Sequence, residues 1–193
     1  MSRGGEMKPT SSGVKLTYDD FVLFPDDGKR HELIDGEHYV TPSPARKHQS
    51  IAWNLNRMIG VYLELHPIGR AFQAPFDVIF SRFDVVEPDL LFISAARLDV
   101  LTDANVQGAP NLVVEIGSPG TRKRDETIKK RLYEREGVEE YWVIDPELDV
   151  VNVYRRVKGR YERSSELTLE HGDTLTSPLL PGLELPLVKI FAD

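Results

Sequence analysis

The 193-residue sequence contains no cysteine, which excludes disulfides and thiolate metal sites. It has no apolar run long enough to span a bilayer, so no membrane partner is expected. Its start, MSRGGEMKPTSSG, lacks the apolar core of a signal peptide, and the expected location is the cytoplasm. It also lacks a Gly-x-Ser-x-Gly elbow and a His-Glu-x-x-His zinc pair. The stretch GSPGTRK has no Gly-Lys-Ser/Thr end and is therefore no phosphate loop. The five histidines are scattered without zinc-binding spacing, and there are no internal repeats. What remains is an ordinary globular composition, 40% hydrophobic and 28% charged. The length fits one domain, expected over residues 15–193 behind a disordered tail at 1–14.

The net charge of −7 argues against a non-specific nucleic-acid binder, but the charge is unevenly spread. Residues 122–136 carry seven basic and four acidic side chains, and residues 155–163 carry five and one. Two basic segments on an acidic chain can hold a phosphate backbone locally, or can be solvated faces.

The pattern alternates strands with helices. Thr17 followed by Asp20 predicts a capping box and a short helix. RHELIDGEHYV reads as a hairpin turning at Asp35-Gly36. Ile51, Leu55, Met58, Ile59 and Tyr62 make one apolar face of a long helix, with Pro44 expected in its first turn. RAFQAPFDVIFS, VVEPDLLFIS, NLVVEIGS and EEYWVIDP read as strands. TRKRDETIKKRLYEREG reads as a second helix ended by Gly137. A further hairpin is expected around Lys158-Gly159, and Trp53 and Trp142 are expected in the core. The order predicts an α/β (α+β) domain with a mixed central sheet flanked by helices and extra hairpin strands.

Two acids interrupt apolar strands. Asp89 lies in VVEPDLLFIS and shares a face with Leu91 and Ile93; Glu115 lies in NLVVEIGS and shares one with Val113. A buried carboxylate needs a partner: a nearby Arg or Lys, or a metal. Two carboxylates converging from neighbouring strands suit Mg²⁺ or Mn²⁺, which take hard oxygen ligands. In the second helix Lys129 borders the apolar stripe through Leu132 and Tyr133, whereas Lys130 neighbours Glu126 and Glu134 on the solvent side. Lys129 is therefore the better candidate for a site cation, against a simple Asp125–Lys129 helix pair.

The segments HELIDGE, SPARKHQ, APFDVIF, EPDLLFI, GAPNLVVEIGSPGT, RDETIKKRLYEREGVEEYWVIDP and VNVYRR, in this order over residues 17–165, resemble the Uma-type restriction endonuclease family of the PD-(D/E)xK nuclease superfamily. The resemblance implies a restriction-endonuclease-like core, ordered helix–strand–strand–strand–helix–strand, and metal-dependent phosphodiester hydrolysis. It implies that Pro88-Asp89 is the PD element and Glu115 the (D/E) element, with Mg²⁺ or Mn²⁺ held by Asp89, Glu115 and the Ile116 carbonyl. Gly117 stands where the superfamily has its lysine, and Lys129 matches a lysine moved to the following helix. Glu32 matches an acidic position that reaches the metal directly or through water, or else forms a cross-strand pair. His48 matches as well, as a phosphate contact, an aid to the active site or a structural residue. Arg122, Lys123 and Arg124 are the nearest candidates for nucleic-acid contact. The expectation is a Mg²⁺-dependent endonuclease acting on DNA, as a homodimer. The alternatives are a catalytically inactive module that binds nucleic acid or protein, and a hydrolase of another phosphate ester.

Overall fold

The computed structural model describes residues 13–41, 43–118 and 124–193. Most of the expected tail, together with Arg122 and Lys123, lies outside the described residues. Asp20 Oδ2 accepts hydrogen bonds from the Thr17 amide and hydroxyl, both at 2.8 Å, and starts a single helical turn, α1 (Tyr18–Phe21). Strands β1 (Arg30–Ile34) and β2 (Glu37–Thr41) then pair antiparallel. Asp35 and Gly36 take φ of 53° and 76° between them, the left-handed pair that a two-residue hairpin turn requires.

Helix α2 (Arg46–Leu65) buries Ile51, Leu55, Ile59 and Tyr62, while Met58 is only partly covered. Its N-cap is Ala45, in extended geometry, so Pro44 precedes the cap and does not open the first turn as expected. Trp53 also departs from expectation. It lies two residues past Ile51, about 200° around the helix, and is 65% exposed. Trp142 is fully buried as expected.

The remaining strands are β3 (Gly69–Gln73), β4 (Val78–Ser81), β5 (Asp84–Val86), β6 (Leu90–Ser94), β7 (Val106–Gln107), β8 (Leu112–Ile116), β9 (Glu140–Asp145), β10 (Val150–Val157), β11 (Arg160–Thr168), β12 (Thr174–Leu175) and β13 (Leu185–Pro186). Six of them form the central sheet, in the order β11-β10-β9-β8-β6-β3. The β8–β9 pair is parallel and its other pairs are antiparallel. A second sheet runs β2-β1-β5-β4-β7. Between β8 and β9 the chain makes a π-helical turn, Asp125–Lys129, that leads into α3 (Lys130–Glu136). Gly137 ends α3 with φ 91°. A last turn, α4 (Leu187–Ile190), follows β13. The succession α2, β3, β6, β8, α3, β9 is the expected helix–strand–strand–strand–helix–strand core. No helix among the described residues is long and apolar enough to cross a membrane.

Both faces of the central sheet are covered, which explains why β8 and β9 are buried throughout. On one face α2 and the C-terminal segment pack on Phe92, Val114, Trp142 and Ile144. On the other, Leu132 and Tyr133 of α3 and strands of the second sheet pack on Leu91, Ile93, Val113 and Tyr141. The entry to this core is tight at Gly69, where an added Cβ would lie 2.3 Å from the Ile93 carbonyl oxygen and 2.6 Å from the Phe92 ring. Gly69→Ala is expected to destabilise the fold by about 1–3 kcal/mol through overpacking, read as a lower urea midpoint. An unchanged midpoint would show that β3 shifts freely.

Candidate active site

The register of the central sheet brings the two strand acids together. Leu90 pairs with Val114 across the antiparallel β6–β8 ladder, so one step further Asp89 stands opposite Glu115. Asp89 lies just outside β6, in the Glu87–Asp89 connection, and not within a strand as expected. Pro88, which has no N–H to give a ladder, keeps the strand from starting earlier. Asp89 Oδ2 accepts the Ile116 amide at 2.7 Å and lies 3.2 Å from His48 Nε2, while Oδ1 accepts Arg30 Nη1 at 2.8 Å.

Lys129 closes the site from the helix side. The π turn directs both Asp125 and Lys129 inward, and such turns recur at functional sites. Lys129 Nζ donates to Glu115 Oε1 at 2.9 Å and lies 2.7 Å from Glu32 Oε1, with its side chain 2% exposed. Tyr133, one turn on, donates its hydroxyl to the same Glu115 oxygen at 2.6 Å. Glu32 reaches in from β1; its Oε1 also accepts the Glu87 amide at 3.1 Å, and Arg124 Nη2 lies 3.4 Å from its Oε2. Lys130 stands outside this group, its ammonium 3.7 Å above the Tyr154 ring.

These groups border a cleft of about 620 Å³, lined among others by Lys29, Arg30, His48, Glu87, Asp89 and Arg124. Among the described residues, six carboxylates, Asp26, Glu32, Glu87, Asp89, Glu115 and Asp125, lie in or beside this cleft with four permanent cations, Lys29, Arg30, Arg124 and Lys129. Burial shows in the acidities. Burial, reinforced by Asp125, Asp89 and Glu32 against the pull of Lys129, pushes Glu115 up to about 8. Burial likewise raises Glu87 to about 7 despite Arg30. Burial also works against ionised Asp89, but the His48 hydrogen bond, Arg30 and the Ile116 amide outweigh it and hold Asp89 down at about 2. Burial alone would lower Lys129, yet Glu115 and Glu32 raise it, so it stays an ammonium.

The structure thus gathers Glu32, His48, Asp89, Glu115, the Ile116 backbone, Arg124 and Lys129 around one cleft. The second basic segment is not there: Arg155 lies 3.0 Å from Glu140 and Arg160 3.1 Å from Glu134, and no residue of 155–163 lines the cleft. Among the described residues no three His, Asp or Glu side chains converge closely enough to hold a metal ion. Arg30 and Lys129 stand between the acids.

The Uma2 family model, described as "Putative restriction endonuclease", matches residues 18–188. The chain belongs to the Uma2 family. A solved structure from Anabaena variabilis ATCC 29413, described as "a putative nuclease belonging to DUF820", is similar over 92% of this chain and 98% of its own, with 24% identity and a TM-score of 0.77. That likeness shows a shared fold. No curated protein matches. In this Uma2 member, Gly117 is buried at the end of β8, and the site ammonium comes from Lys129 on the π turn.

Arg30, Tyr133 and Glu87, which lines the cleft beside Arg30, are residues of the candidate site that escaped the sequence reading. Arg30 sits two before Glu32 and so shares its strand face, a legible signal hidden at the strand's first position. Tyr133 reads as part of an apolar stripe, and only the fold shows its hydroxyl on Glu115.

Proposed function

We propose that the chain is a Mg²⁺- or Mn²⁺-dependent endonuclease that hydrolyses phosphodiester bonds in DNA. The observation that carries this reading is the buried Lys129 ammonium shared by Glu32 and Glu115, with Asp89 opposite, at the wall of a cleft. Membership of a family described as restriction endonucleases supports nuclease-like hydrolysis.

The donor set fits a hard divalent cation. The oxygens are carboxylate and carbonyl, the hard donors such an ion takes. Glu32 Oε2 is buried and accepts no hydrogen bond among the described residues. Asp89, Glu115 and the Ile116 carbonyl would hold the ion, with Glu32 completing or orienting the set. A cation bound there supplies charge neutralisation on the phosphate and a more acidic water. Lys129 presents its protons beside Glu115, where it would orient that water or stabilise the crowded phosphate. Tyr133 fixes the Glu115 carboxylate, and His48 and Arg124 face the cleft where a phosphate would lie. Arg122 and Lys123, which precede Arg124 in the sequence, are part of the proposal as further nucleic-acid contacts. Cutting both strands needs two such sites, so a homodimer is part of the proposal.

The test is cleavage of supercoiled plasmid with Mg²⁺ or Mn²⁺ at low salt, comparing wild type with Asp89→Ala. Cleavage by the wild type alone is expected, with Asp89→Ala still folded by circular dichroism. Full activity in Asp89→Ala would overturn the site. No cleavage by pure, folded wild type would favour the second reading, a non-cleaving module that binds nucleic acid or protein, toward which Gly117 and the −7 charge point.

A further inference from the structure

Arg30 occupies the position that the proposed cation needs. It begins β1 with its side chain 18% exposed. Its Nη1 holds Asp89 Oδ1 at 2.8 Å, and its Nε lies 3.5 Å from Glu87 Oε1. Asp89 Oδ2 is already committed to the Ile116 amide and His48. Oδ1 is therefore the oxygen that Asp89 has to offer, and Arg30 covers it. We propose that Arg30 is an internal counter-ion, exchanged for the divalent cation at Asp89 and received by Glu87 and the substrate phosphate. This rests on the metal-site reading given above.

The chemistry favours such an exchange over a fixed ion pair. A buried carboxylate left unpaired is costly, so without a cation Asp89 needs Arg30. A guanidinium and a divalent ion drawn to one carboxylate oxygen repel each other at close range, so the two compete. Glu87 lines the same cleft and lies beside the guanidinium, which keeps a partner as it turns away from Asp89. The released donors then face the cleft, where they match the fork geometry of a phosphate. By linkage, whatever Arg30 gains from Asp89 is subtracted from the cation's affinity. This accounts for acids that lie close together without converging on a common point.

The test is Mn²⁺ binding by titration calorimetry, with no nucleic acid present, on wild type, Arg30→Gln, Lys29→Gln and Asp89→Asn. Lys29 lines the same cleft but pairs with Asp27 at 2.8 Å, so its removal reports the general field alone. Arg30→Gln is expected to bind Mn²⁺ about tenfold tighter than wild type. Lys29→Gln should gain less than about threefold, and that gain should vanish in high salt while the Arg30→Gln gain persists. If Arg30→Gln fails to fold, Arg30→Lys keeps the charge but loses the fork that spans Asp89 and Glu87, and should gain in the same direction. Affinity in the Arg30 variant no higher than in Lys29→Gln, with Asp89→Asn weakened, would overturn the exchange and leave the metal site standing. Wild-type affinity in Asp89→Asn would overturn both.

Discussion

Lys129→Met is expected to remove metal-dependent cleavage and to destabilise the protein, whereas Lys130→Met does neither. Lys129 is the shared cation of two buried acids, Glu32 at 2.7 Å and Glu115 at 2.9 Å. Truncating one member of a buried ion pair costs about 3–5 kcal/mol, because the partner charge is left uncompensated. Glu115 can relieve part of that cost by keeping a proton, and Arg124 lies 3.4 Å from Glu32 Oε2, so the lower end of the range is expected. Loss of one preorganised donor from the reacting phosphate should slow cleavage by about 10²–10³. Lys130 is half-buried, and its contact is the Tyr154 ring at 3.7 Å, worth about 0.5–1 kcal/mol. Urea midpoints and initial cleavage rates separate the two variants. Wild-type activity in Lys129→Met, or activity lost only in Lys130→Met, would sink the role given to the π turn.

The discrimination between these two lysines is legible in the sequence, because helical spacing ties Lys129 to Leu132 and Tyr133 and ties Lys130 to Glu126 and Glu134. The hairpins at Asp35-Gly36 and Lys158-Gly159 were legible for a similar reason: both pairs take positive φ, which few residues tolerate. The neighbour relation of Asp89 and Glu115 was less so. Alternation gives the face of a strand, but not which strand lies beside it; the antiparallel β6–β8 register supplies that. Glu32 comes from the other sheet, a relation that no local period encodes. The family pattern supplied it instead. Trp53 was assigned to the core because it lies in an apolar pattern, although its angle from Ile51 places it on the open face. The 155–163 segment was left open as a phosphate-holding patch or a solvated face; in the fold Arg155 is drawn to Glu140 across a ladder, Arg160 to Glu134 far off in sequence, and Arg163 to Glu166 three residues on. Charge counted along a chain does not show where tertiary structure has already neutralised it.

Glu115→Gln is expected to abolish cleavage while leaving the metal-free protein at least as stable as wild type at pH 8 and above. Few substitutions of a fully buried charged residue should behave this way. The reason is the burial of Glu115, reinforced by its acidic neighbours Asp125, Asp89 and Glu32. Glu115 is raised to about 8 in the fold, against an ordinary carboxyl value of 4.5. Between those two values the folded chain retains a proton that the unfolded chain has released. The contribution of Glu115 to stability is therefore complete below about 4.5 and is lost as pH rises through about 8. Glu87, raised to about 7, adds a slope of the same sign. Asp89, held at about 2, has the opposite dependence and loses its contribution only as pH falls through that value. Glutamine resembles the protonated acid in shape, and its amide oxygen can still accept from Lys129 and the Tyr133 hydroxyl. It should erase Glu115's share of the alkaline loss and leave that of Glu87. What glutamine cannot supply is a carboxylate for a divalent cation, so cleavage should fall by about 10²–10³ or more. Urea melts from pH 5 to 9, paired with plasmid cleavage, read both halves of the expectation. Wild-type cleavage in Glu115→Gln would remove Glu115 from the reaction. A strong loss of stability at pH 8 would mean instead that its ionised form is a structural partner of Lys129.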